Sequence, residues 1–210
     1  RLDTTATPNR ADGQEPDSEM IYYYDITHAL KDGIVKSIVV YEPEVKLLKL
    51  TYTNFKTGEK KDVTELDTEF KEAEKGLAPF HWILDEEPMR KQIAIALQRH
   101  EEQKARAKSR YKPILFIVTM SIAEGERAKK MLEERFKIKT LLVTQESDDV
   151  QREEALLIGN SDSKYEAVVS VLMLREGWDV PEVATILLLR KFSSPVYGQQ
   201  VIGRGLRKII

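Results

Sequence analysis

The chain contains no cysteine. That excludes a disulfide framework and any thiolate metal site, and it fits a reducing compartment. The histidines, His28, His81 and His100, are scattered without metal-ligand spacing, so no metal site is expected from them. No apolar run approaches the roughly 20 residues of a membrane span, and no secretory leader is legible; a cytoplasmic protein with no membrane partner is the expectation. An excess of positive charge is also lacking: 33 Lys and Arg face 35 Asp and Glu, for a formal net charge of -2. A protein that coats nucleic acid carries a basic domain, so any nucleic-acid site here has to be a local patch. The phosphate-cradling pattern G-x-x-x-x-G-K-[ST] is absent as well. The chain alone is therefore not expected to hold Mg-ATP competently. It opens on Arg1, as a piece of a longer protein would.

What is present is enough for a core, with 41% hydrophobic and 32% charged residues in 210 positions. Residues 1–20 are polar and rich in turn formers and read as loop or linker. Residues 21–80 read as a β-rich lead-in. It has a strand through Tyr22-Tyr23-Tyr24, a short helix around Thr27 to Lys31, a turn at Asp32-Gly33 and a strand near Ile38 to Tyr41. A further strand lies within Val45 to Phe55 and ends in a hairpin-type turn at Lys56 to Glu59. Residues 81–210 read as an α/β domain. Asp85 is placed to cap a long helix to about Lys108, with Ile93, Ala94 and Leu97 on its apolar face. Pro113 introduces the apolar run ILFIVT. Ser121 then caps a helix with Ile122, Ala128, Met131, Leu132 and Phe136 near helical spacing. Thr140 to Val143 is a strand, and Ser147 caps a helix that stops near Gly159. Ala167 to Leu174 and Thr185 to Leu189 are strands, and Pro195 opens a last helix reaching Arg207. The strands are near-continuous apolar runs, the mark of a parallel sheet buried on both faces. Such sheets gather ligands at the carboxyl ends of their strands.

Two segments carry chemistry. The first is Gln200-Val201-Ile202-Gly203-Arg204-Gly205-Leu206-Arg207, a Q-x-x-G-R-x-x-R pattern. On a helix, Arg204 and Arg207 fall on one face. Two guanidiniums there suit a triphosphate, being planar, always charged and bidentate. As arginine fingers they would stabilise charge on a phosphoryl group in transfer. Gly203 lets another backbone approach. The bland alternative is a surface helix that happens to carry two arginines. The second segment is Leu174-Arg175-Glu176-Gly177-Trp178-Asp179-Val180-Pro181, just after a buried strand. Gly177 permits a turn, and Asp179 can accept a ribose hydroxyl or order an arginine. The bland alternative is a turn whose Asp caps the next segment and whose Trp178 anchors the core.

Together these segments resemble motifs V and VI of superfamily 2 helicases. PILFIVTMSIAEGERAKKML resembles motif IV, TQESDDVQREEALLIGN the charged helix with Arg152 that follows it, and Thr5-Ala6-Thr7-Pro8 motif III. All stand in the family's order. The resemblance implies a RecA-like sheet, the second of two motor domains, with ATP bound between this domain and a preceding one that supplies most of the ATP and Mg2+ contacts. It implies that Arg204 and Arg207 reach the γ-phosphate, that Gln200 and Gly203 support them, and that Gly177 and Asp179 line the nucleotide. Thr5 and Thr7 would couple nucleotide state to grip, and Thr119, Ser121, Thr144 and Ser170 would contact nucleic acid. The wording LREGWDVPEV followed by QQVIGRGLRK, with YDITHALKDGIVKSIVV upstream, is most similar to the restriction subunit of type III restriction enzymes. That implies DNA rather than RNA, a modification methyltransferase as partner, and a nuclease domain beyond Ile210. Excision-repair helicase subunits are similar too. DEAD-box RNA helicases carry a Thr where this chain has Val171.

Other features have plainer readings. Trp82 to Glu87 imitates a nucleotide-binding acidic strand end, but it follows the motif III-like TATP instead of preceding it, and acids in a first helical turn are favoured by the helix dipole. Lys104, Arg106, Lys108, Arg110 and Lys112 read as a solvated helix end, with phosphate contact as the alternative. Tyr22 to Tyr24 read as strand more than as a base-stacking platform. A different class of function, a non-catalytic RecA-like docking module, is disfavoured by Gln200, Arg204 and Arg207 standing in one motif.

Overall fold

The structure is a computed structural model that describes residues 21–41, 49–64, 77, 81–171, 178–189, 201–203 and 205–209. The elements are α1 (Ile26–Lys31), β1 (Lys49–Asn54), β2 (Lys60–Thr64), β3 (Trp82–Leu84), α2 (Glu86–Ala107), β4 (Ile114–Thr119), α3 (Ile122–Glu134), β5 (Thr140–Val143), α4 (Asp149–Leu156), β6 (Ala167–Val171) and β7 (Val183–Leu188). The chain is α/β, with a four-stranded sheet in the order β5-β6-β4-β7. Its pairs are all parallel, as a RecA-like fold requires.

Every residue of β4 and β6 is buried. Both faces of these strands are covered, which is why ILFIVT and AVVSV are unbroken apolar runs except at Thr119 and Ser170. On one face Leu115, Ile117 and Val169 pack with Met89 and Ile93 of α2 and Ala128 and Leu132 of α3. On the other, Phe116, Val118 and Val168 pack with Ala155 of α4, Ile158, Trp178 and Val201. α3 lies very close to the sheet at Gly125, where a Cβ would stand 2.8 Å from Val171 Cγ2 and 3.0 Å from Leu142 Cδ1. Any side chain there would push the helix off its strands.

A second sheet, antiparallel and three-stranded, has the order β2-β1-β3. Leu50, Tyr52, Val63, Trp82 and Leu84 bury its inner face in the same core as α2 and the parallel sheet. The β-rich lead-in thus takes its third strand from beyond residue 80, and it shares a core with the α/β domain. The Lys56–Glu59 turn is as expected: Gly58 has φ +73 and closes the hairpin.

Several local expectations change. Tyr22 to Tyr24 and Ile38 to Tyr41 are not strands; Tyr22 is 79% exposed and Val39 84% exposed. Strand composition needs a partner strand, and the described residues 21–41 have only the isolated bridge Val35↔Arg207. Ser147 does not cap α4. Asp148 does, in a reciprocal capping box with Gln151, while buried Ser147 accepts a hydrogen bond from Thr144 N–H at 2.9 Å. α4 stops at Leu156, short of Gly159. Asp85 has the N-cap backbone but no capping hydrogen bond, since its carboxylate takes the Thr53 hydroxyl and faces Lys60 Nζ at 3.5 Å. Ile122 lies half out of the core, and Phe136 follows the end of α3.

The last helix also ends early. Residues 201–203 are helical, and then Gly205 N–H bonds Ile202 O and Leu206 N–H bonds Gly203 O as the chain turns away. A Cβ on Gly205 would stand 2.7 Å from Ile186 Cδ1, so the turn presses directly on β7. Arg207 lies beyond the helix, in the bridge to Val35.

Candidate nucleotide and nucleic-acid sites

The described site residues fall into two groups. The first stands at the carboxyl edge of the parallel sheet. Thr119 ends β4, Ser121 caps α3 by accepting Glu124 N–H at 3.2 Å, and Ser170 pairs in register with Val118 and Val143. The Thr119 hydroxyl donates to Ser121 O and Ser170 O, both at 3.4 Å. Thr119 and Ser170 are fully buried and Ser121 nearly so. Ser170 Oγ has no hydrogen-bond partner. Of these four, Thr144 is the residue partly open to solvent, its Oγ1 accepting Glu146 N–H at 3.1 Å. The hydroxyls of Thr119 and Ser121 therefore shape the edge from within.

Glu124 belongs to this edge and was passed over in the sequence. It is fully buried; Oε1 accepts Leu84 N–H at 3.3 Å and Oε2 accepts Met120 N–H at 3.1 Å. Arg127 Nη1 donates to Leu84 O at 2.7 Å. Together they fasten β3, and with it the small sheet, to the first turns of α3. The signal was present as Ser121-x-x-Glu124, a capping-box spacing, although here the Glu reaches Met120 and Leu84.

The second group lies on the sheet face that carries Phe116 and Val201. Residues 172–177, Gly177 among them, lie outside the described residues, and the chain is described again from Trp178 toward the start of β7. Trp178 is buried there: Nε1 donates to Ala155 O at 2.8 Å and the ring meets Phe116 with centroids 4.9 Å apart. This fixes the backbone on which Asp179 sits. Asp179 Oδ2 accepts a hydrogen bond from Arg207 Nη1, and Oδ1 is buried with no hydrogen-bond partner among the described residues. The arginine side chain is 63% exposed. Asp179 and Arg207, separated by 28 residues, are thus brought together, as a nucleotide-lining role for both would require. Gly203 is helical, with open space where a Cβ would be. Gln200, Arg204, Thr5 and Thr7 lie outside the described residues.

The family model for the helicase conserved C-terminal domain matches residues 93–208. The chain belongs to that helicase family. No curated protein matches it. The match begins within α2, at Ile93, and covers the whole parallel sheet and Arg207, so both groups of site residues lie within the helicase domain.

The basic run of the helicase domain stands at the opposite, amino edge of the sheet, where α2 ends and β4 begins. Lys104 pairs with Glu101 at 2.9 Å and Glu166 at 3.3 Å. Lys112 Nζ donates to Ser163 O at 2.5 Å, and burial pushes its amine below the usual lysine range. Arg110 closes the end of α2 through Ala107 O and Arg106 O. The run ties the helix end to its neighbours. Among the described residues, no group of three or more acids and histidines could hold a metal, and no helix is long and apolar enough to cross a membrane.

Burial shifts His100 strongly in the interior of the helicase domain. Burial holds its imidazole neutral and lowers its pKa from 6.5 to about 4, with Lys104 adding to the effect. Nδ1 is 3.1 Å from Thr185 Oγ1 on β7. Below its ordinary pKa the unfolded chain takes the proton while the folded one does not. Stability then falls as pH drops from 6.5 toward 4, by about 2 kcal/mol at pH 5 and up to about 3 kcal/mol in all. Urea unfolding at pH 7.5 and pH 5 checks this. The wild type is expected to lose about 2 kcal/mol more than His100→Gln over that interval, and equal losses would remove His100 as the cause.

Proposed function

We propose that the chain is the second motor domain of an ATP-driven nucleic-acid helicase or translocase. It works against a first motor domain that carries the phosphate loop and most of the ATP and Mg2+ contacts. The observation that carries this reading is the meeting of Asp179 with Arg207, which joins the motif V-like and motif VI-like segments within one helicase-family domain. In the intact protein Arg204 and Arg207 face the γ-phosphate across the cleft. Asp179 holds Arg207 in place and with Gly177 lines the nucleotide, Gln200 supports the arginines, and Gly203 lets another backbone approach. Thr5 and Thr7 couple the nucleotide to the grip on nucleic acid. The carboxyl edge, with Thr144 outermost and Thr119, Ser121 and Ser170 shaping it, holds one strand through its phosphates. Closing the cleft on ATP and opening it after hydrolysis shifts the two domains between two arrangements, and this moves the strand.

The wording of motifs V and VI supports DNA as the track and a type III restriction subunit as the nearest kind of parent, with a methyltransferase subunit as partner; an excision-repair helicase subunit is the second such parent. The test is ATP hydrolysis by the intact protein with and without DNA. Stimulation by DNA is expected. No hydrolysis with DNA or RNA would favour the docking module.

A further inference from the structure

We infer that Lys36 is a positioning residue of the ATP site: its amine and its backbone N–H tie the segment that carries Asp179 to the segment that carries Arg207. The inference rests on the reading of the chain as a motor domain.

The residues before Lys36 build a short, fixed arm. Asp25 caps α1 by accepting His28 N–H at 2.9 Å. After the helix, Asp32 N–H bonds His28 O at 2.9 Å, and Gly33 takes φ +70, the left-handed conformation that suits glycine at a helix end. Ala29 O then accepts the N–H of Ile34 at 2.9 Å and of Val35 at 3.4 Å. Val35 bridges Arg207, and Lys36 N–H donates to Leu206 O at 2.7 Å. The backbone of the arm is thus paired with the residues that present the Arg207 side chain.

The Lys36 side chain takes hold of the other segment. Its Nζ donates to Pro181 O and, at 2.8 Å, to Val183 O. These carbonyls belong to the residues between Asp179 and the body of β7. The strand starts irregularly there: Ile114 pairs with Val183, but Leu115 pairs with Thr185. Such an irregularity interrupts the ladder, and an ammonium with three N–H groups can serve two carbonyls at once. Lys36 is half-buried, and burial lowers its pKa while the charge of Glu182 opposes the shift. Filling this space calls for no charge, and an apolar side chain would avoid the desolvation. What the site uses is the donors.

Asp179 and Arg207 join the same two segments at a second point. The Arg207 side chain is 63% exposed, and an ion pair so open to water holds a geometry weakly by itself. Lys36 joins the segments through hydrogen bonds to Pro181, Val183 and Leu206, and so fixes the gap across which the pair meets. A phosphate-facing guanidinium depends on that gap, because a misplacement of about 1 Å can slow a reaction on the order of 100-fold.

The test is ATP hydrolysis by the intact protein with a saturating DNA oligonucleotide. Lys36→Met keeps the stem and removes the donors. It should lower kcat about 10- to 100-fold with little change in KM. Lys36→Arg, which keeps charge and donors, should recover most of the rate. Lys36→Met combined with Arg207→Ala should be no slower than Arg207→Ala alone, since Lys36 acts through that arginine. Hydrogen exchange gives a readout that needs no activity: Lys36→Met should speed exchange around 180–183 and 205–207 and leave β4 and β6 as in the wild type. A wild-type rate in Lys36→Met, or losses that multiply in the double variant, would overturn the inference and leave the motor reading standing. Faster exchange throughout the parallel sheet would make Lys36 a support of the whole fold and overturn it as well. A wild type without DNA-stimulated hydrolysis would bring down both.

Discussion

Replacing Trp178 with alanine is expected to lower the stability of the chain by about 3–5 kcal/mol, the usual cost of emptying a large buried aromatic site. For a domain of this size that is a fall in Tm of roughly 10 °C. The effect is large because the side chain has two attachments. Its ring meets Phe116 in the middle of β4, and its indole N–H reaches Ala155 O near the end of α4. Alanine leaves a cavity between strand and helix and also leaves a buried carbonyl without its donor. Trp178→Phe keeps most of the packing and loses the hydrogen bond, so about 1–2 kcal/mol is expected from it. Thermal and urea unfolding measure both. With Trp178 gone, fluorescence reports Trp82 alone, because the chain has only 2 tryptophans. A loss below about 1 kcal/mol in Trp178→Ala would mean that the residue does not anchor the segment leading to Asp179.

Replacing Arg204 with alanine in the intact protein is expected to reduce kcat for ATP hydrolysis by about a thousandfold, the lower end of what an arginine finger supplies. The reason is electrostatic. Charge builds on the transferred phosphoryl group in the transition state, and a planar guanidinium can meet two of its oxygens at once. Such an interaction acts in the transition state more than in the ground state, so kcat falls with little change in KM. Lysine has the charge but not the fork, and Arg204→Lys is expected to recover only a small part of the loss. Arg207 stands differently, since Asp179 already holds it.

Much of the fold could be read from the sequence, because burial on two faces leaves a direct mark. β4 and β6 are apolar at nearly every position, and the structure covers both of their faces. The Ser121 cap and the Gly58 turn were legible for the same reason: each residue meets a local geometric need. The misread elements depend on partners distant in sequence. Ile38 to Tyr41 has the composition of a strand but no neighbour to pair with among the described residues, and its Val39 and Val40 face water. Arg207 was placed on a helix by its spacing from Arg204, whereas it stands in an isolated bridge to Val35, a partner distant in sequence. At the carboxyl edge, the burial of Thr119 and Ser170 depends on the elements packed over them and could not be read from the two residues alone. The contact between Asp179 and Arg207 was implied by the motifs in general terms, but the anchoring of Asp179 by Trp178, and of the small sheet by Glu124, depends on tertiary packing that no short pattern encodes.

The most direct test of the role proposed for this domain is the steady-state rate of ATP hydrolysis by the intact protein at saturating DNA, compared between wild type and Arg204→Ala. A fall of about a thousandfold in kcat, with binding of the oligonucleotide unchanged, is the predicted result. Equal rates in the two proteins would take Arg204 out of the ATP site and contradict the assignment of the last helix as the phosphate-facing element.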